Sequence, residues 1–135
     1  MSMSRSRAAG ALRPELPALA QRFAMSVMAR EVLRDVAQVL ADEGIAVMPL
    51  KGVLFQLVLY ADPAERALLD VDVLVPRADF ERAIRALLQA GFAPRSAGQS
   101  LIECALWSPR GMLVDLHRQL FSRGRYRLST EALFR

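Results

Sequence analysis

The chain has one cysteine, Cys104, so it can close no intrachain disulfide and has no second thiol for a structural zinc site. Cys104 is therefore expected to be a core residue of a strand. Aromatic residues make up only 7% of the sequence, and the basic residues are scattered among Asp and Glu rather than gathered beside aromatics. A net charge of +4 without a stacking platform or a basic stripe argues against a stable nucleic-acid partner. No apolar run approaches the roughly twenty residues that a bilayer requires, and the run at residues 8–12 is too short for a secretory leader. A cytoplasmic protein without a membrane span is expected. Lysine is almost missing as well: of 18 basic residues, only Lys51 is not arginine.

What is present suits a globular domain. The 135 residues are 53% hydrophobic and 24% charged, enough apolar material for one core and too short a chain to expect two. A flexible basic tail is expected over residues 1–13, followed by one domain over 14–135. Residues 14–43 carry Leu19, Phe23, Val27, Val32, Val36, Val39 and Leu40 at helical steps, with Gly44 as a stop. That spacing predicts one long helix, or two with a break. A short buried strand is expected over 45–50, a turn at Lys51-Gly52, and a compact apolar helix over 53–60 that ends before Pro63.

Residues 68–75 alternate, with Val71, Val73 and Val75 on one face and Asp70 and Asp72 on the other. A helix follows from about Asp79, with Phe80, Ile84, Leu87 and Leu88 at helical spacing up to Gly91. Two further strands, 100–107 and 112–116, flank Ser108-Pro109-Arg110-Gly111 as a hairpin, and in the second Asp115 and His117 share a face. The apolar residues of the arginine-rich tail have no evident partner in the pattern. The order of elements predicts an α/β (α+β) fold, a mixed β-sheet flanked by helices, with a long N-terminal helical segment.

Two aspartates at i and i+2 of a strand point the same way with backbones about 7 Å apart, close enough to share divalent ions. Asp115, in another short strand, is the candidate third carboxylate. Three like charges on a sheet repel unless a cation lies among them, and Mg2+ (or Mn2+) is the expected occupant. Upstream, Lys51-Gly52 at a strand-to-helix junction would let backbone N–H groups approach a phosphate while the lysine adds a mobile cation.

Leu50-Lys51-Gly52, then Tyr60-Ala61-Asp62-Pro63 with Arg66, then Asp70-Val71-Asp72-Val73-Leu74-Val75, and finally Val114-Asp115-Leu116-His117 form four blocks in one order across roughly residues 45–120. Together they resemble the uncharacterised nucleotidyltransferase family of the polymerase-beta-like superfamily. The resemblance implies Asp70 and Asp72 as metal ligands and Asp115 as the carboxylate that activates an acceptor hydroxyl. It also implies a nucleoside triphosphate substrate, ATP by default, with Lys51, Gly52 and Arg66 as the phosphate-binding residues. His117 matches in type, as a direct participant or as a hydrogen-bonding partner of the ligands.

Three departures accompany the match. Val53 follows Gly52 where the wider superfamily has a hydroxyl residue, Arg118 stands where an aromatic is common, and the chain stops soon after the third carboxylate. A domain truncated at its C-terminus, with a mean hydropathy of +0.21, is expected to expose an apolar patch that a second copy or another protein covers. The alternative to an enzyme is accordingly a catalytically incomplete domain that acts as a binding, regulatory or antitoxin-like partner.

Overall fold

The structure, a computed structural model, describes residues 16–59, 61–62, 66–95, 103–120 and 129–135. The expected basic tail, the breaker Pro63, the first residues of the 100–107 strand and most of the arginine-rich tail lie outside the described residues.

Helix α1 (Leu16–Asp42) is continuous, so the long apolar pattern forms one helix and not two. Its buried stripe runs Ser26, Ala29, Val32, Val36 and Leu40, each three or four residues from the last. The helix ends where Gly44 takes a left-handed φ of 67°. There the Ile45 N–H donates to Leu40 O and the Gly44 N–H to Ala41 O, which satisfies two terminal carbonyls. Ile45 and Leu40 are both buried in the core, so the hydrogen-bonded stop also has an apolar clasp.

Phe23 and Val27, expected in the stripe, are 51% and 43% exposed. Phe23 precedes Ser26, the first buried residue of the stripe, and so lies on the part of α1 that extends past the core, whereas Val27 follows buried Ser26 by one residue and points about 100° away from the stripe.

The sheet has the order β1-β2-β5-β4-β3, from β1 (Met48–Leu50), β2 (Asp70–Leu74), β3 (Ala93–Pro94), β4 (Glu103–Trp107) and β5 (Leu113–His117). Its central pair, β2 and β5, is parallel, and the other pairs are antiparallel. The mixed sheet flanked by helices is thus the architecture anticipated. Strand β3, a two-residue edge strand closed by Pro94, had no signature in the pattern, since a proline can pair only at an edge or a strand end.

Helix α2 (Lys51–Val58) begins at Lys51, so Lys51-Gly52 opens the helix instead of forming a separate turn before it. Helix α3 (Phe80–Gln89) follows a 3-10 turn over Arg77–Asp79 and buries Phe80, Ala83, Ala86 and Leu87. Leu88, expected on that apolar face, is 40% exposed, because it follows Leu87 by one residue and so points 100° away. The hairpin between β4 and β5 closes with the Gly111 N–H donating to Ser108 O. Near the end of the chain, a 3-10 helix (Thr130–Phe134) is capped by Ser129, and its Thr130 hydroxyl accepts from the Leu120 N–H.

One apolar core joins α1, α3 and one face of the sheet, with Val71, Val73, Val114, Leu116, Cys104 and Leu106 all buried in it. Cys104 is the strand core residue its context implied. Because strands alternate, burial of the valine face turns Asp70, Asp72 and Asp115 to the other side. No described helix is long and apolar enough to cross a membrane.

Candidate active site

On the opposite face of the sheet the register puts acidic residues side by side. Asp72 of β2 pairs with Asp115 of β5, and Asp70 lies one alternation earlier, opposite Leu113. On the outer side Asp72 pairs with Leu50, which places the start of α2 beside it. The structure therefore brings all three aspartates and Lys51 to one region of one sheet face. Leu74, two residues beyond Asp72 on the same face, is fully buried, so the face is partly covered and Asp72 itself is only 6% exposed.

Asp72 is the hub. Its Oδ1 accepts from Lys51 Nζ at 3.0 Å and lies 2.9 Å from His117 Nε2. A carboxylate can only accept, so Nε2 bears the proton in that contact. On its other side His117 Nδ1 is 3.7 Å from Glu103 Oε2. His117, a candidate of open role, is thus a partner of Asp72. Glu103 was not singled out by sequence, although counting back from the 108–111 turn pairs it with His117 across the hairpin.

The electrostatics of the three groups differ. Burial alone would raise the Asp72 carboxyl, but hydrogen bonds and positive charge from His117 and Lys51 outweigh it and hold the group below the usual range. Asp115 is pushed up, first by burial and then by the neighbouring charges of Asp72 and Asp70. The Lys51 ammonium is raised, chiefly by its hydrogen bond to Asp72.

Gly52 sits in a close approach: a Cβ there would stand 3.0 Å from Leu68 Cδ2, which would have to shift by a few tenths of an ångström, and 3.9 Å from Arg66 Nη2. The same packing brings Arg66 beside Lys51-Gly52. The Arg66 carbonyl accepts from Ser26 Oγ at 3.4 Å, tying this loop to α1. Lys51 has a φ of 48°, the one left-handed residue other than glycine among the described residues.

In the side-chain positions of the structure, no three His, Cys, Asp or Glu residues among those described are grouped tightly enough to hold an ion. The donor chemistry nevertheless fits a hard divalent cation, since the set is entirely carboxylate oxygen. Asp70 and Asp115 also have no hydrogen bond or ion pair among the described residues, so their oxygens are available. The two described cavities lie elsewhere, one of about 240 Å³ at Arg82, Arg85 and Gln89 and one of about 260 Å³ at Val39, Phe92 and Pro109.

The mixed sheet with its helices is consistent with an α/β nucleotidyltransferase-like fold. The chain belongs to the uncharacterised nucleotidyltransferase family, whose profile matches residues 8–135. Membership of the polymerase-beta-like superfamily is consistent with this match. No curated protein and no solved structure matches the chain.

Proposed function

We propose that this protein is a metal-dependent nucleotidyltransferase that moves a nucleoside monophosphate from a nucleoside triphosphate, ATP by default, to an acceptor hydroxyl. The observation that carries the reading is the pairing of Asp72 with Asp115 on adjacent parallel strands, with Asp70 on the same face and Lys51-Gly52 alongside. Asp70, Asp72 and Asp115 are the residues that would hold Mg2+ or Mn2+. When bound, such an ion polarises the reacting phosphate and neutralises charge on the departing pyrophosphate.

The protein's own groups divide the remaining work. Lys51, the Gly52 backbone and Arg66 bind the phosphates. Asp115, whose carboxyl is held above its usual range, takes the proton from the acceptor hydroxyl. The acceptor oxygen forms a bond to the α-phosphorus, the bond from that phosphorus to the bridging oxygen breaks, and pyrophosphate leaves. His117 holds Asp72 in place and Glu103 steadies the imidazole.

Calorimetric titration with magnesium or manganese, with and without each nucleoside triphosphate, tests this reading. Nucleotide binding that requires metal in the wild type and disappears in Asp70→Asn/Asp72→Asn is expected. A folded wild type that binds neither ion nor nucleotide would refute it.

One observation favours the second reading, a catalytically incomplete partner domain. Beside the site, Phe55, Val58, Leu59 and Leu69 are 44–75% exposed. A second copy or a protein partner would cover them, and light scattering that gives a monomer at high concentration would count against the self-association form of this reading.

A further inference from the structure

Asp72 Oδ1 has two donors of opposite character. The His117 side chain is 12% exposed and fixed within β5, whereas the Lys51 side chain is 63% exposed. One contact is built into the sheet, and the other can be broken by rotating an exposed chain in water. Asp72 Oδ2 has no partner among the described residues.

Lys51 is also unusual in backbone and in type. Its left-handed φ is a conformation that glycine would adopt without strain, yet the chain places its only lysine there. Strain retained at a position where a simpler residue would relieve it points to a use for the side chain. Arginine, the basic residue everywhere else, would clamp a carboxylate through a rigid fork, while an ammonium on a flexible stem is a mobile point charge. The fields of Asp70 and Asp115 reach this ammonium as well as that of Asp72, so it faces the whole carboxylate group.

We infer that Lys51 is a resident counter-cation of the carboxylate face: its ammonium guards Asp72 until a divalent cation binds, and then transfers to the phosphates of the incoming nucleotide. This deepens the reading above and rests on it. An ammonium on Asp72 repels a second cation approaching the same carboxylates, so its departure is part of metal entry. The transfer couples the two events, because the triphosphate offers the displaced ammonium a new anionic partner beside Gly52. Metal without nucleotide is consequently held weakly, and the pair is held together.

The test compares manganese binding by calorimetry in wild type, Lys51→Met and Lys51→Gly, the last chosen because glycine suits the backbone at this position. Thermal unfolding in chelator verifies that each variant is folded. Manganese alone is expected to bind the variants about tenfold more tightly than wild type, since a nearby like charge is gone. A magnesium complex of a non-hydrolysable triphosphate is expected to bind about tenfold more weakly, since one phosphate contact is lost. Manganese affinity unchanged or reduced in both variants overturns the counter-cation role. Tighter manganese binding with unaltered triphosphate affinity overturns the transfer to phosphate. If neither wild type nor variants bind manganese, the metal reading of the face fails, and this inference fails with it.

Discussion

Removing charge from Asp115 should stabilise the protein while disabling its site. Neighbouring strands are about 4.8 Å apart, so two carboxylates paired across β2 and β5 are roughly 5 Å apart. Two full charges at that distance repel by about 1 kcal/mol in water and by about 3 kcal/mol at an effective dielectric of 20. Lys51 and His117 offset part of the Asp72 charge and solvent reaches Asp115, so about 1 kcal/mol is expected for Asp115→Asn without metal.

For a domain of 135 residues that gain raises Tm by about 4 °C. A carboxyl held above its usual range in the folded state costs stability once it is ionised, and the cost vanishes as pH falls through its folded value. The advantage of Asp115→Asn should therefore be full at neutral pH and shrink toward zero in acid. Thermal unfolding in chelator across that pH range measures it, and repetition with saturating magnesium should raise the wild-type Tm but leave the variant where it was. A variant less stable than wild type at neutral pH, or an advantage that ignores pH, would refute the reasoning.

Leu40→Ala should cost about 2–5 kcal/mol by urea unfolding, because Leu40 is fully buried and also clasps the end of α1. His117→Ala should cost about 1–3 kcal/mol at neutral pH by leaving Asp72 short of a donor. Since the depressed Asp72 carboxyl contributes stability that is lost as pH falls through its folded value, the variant should lose less on acidification than wild type does. Gly44→Ala should cost about 1 kcal/mol in thermal unfolding purely through backbone strain, as nothing lies within 4 Å of the added methyl. Cys104 should react with thiol reagents only at the rate of unfolding, for the residue is 2% exposed and its thiol is raised by burial.

Local periodicity made much of this fold legible. Alternation over residues 70–75 separated the valines from the aspartates, and the glycines at 44 and 91 marked the ends of α1 and α3. Those features depend on neighbours in the chain. The exposure of Phe23 depends instead on where along α1 the core begins, which no local pattern encodes. Candidate site residues were legible by type, as acids on one face of a strand, but their register was not. That Asp72 sits opposite Asp115 follows from parallel pairing of strands separated by α3 and the β3-β4 segment. The left-handed backbone at Lys51 was equally hidden, because the sequence shows a lysine where the conformation would suggest glycine.

The parallel pairing of β2 with β5 also has a kinetic meaning. Asp72 and its partner His117 are 45 residues apart, and a contact of that separation is formed only after a large loop has been closed. A nascent chain that has emerged only as far as α3 displays Asp70 and Asp72 without the strand that completes the set. The carboxylate face is therefore assembled by non-local contacts and is complete only when the topology is finished.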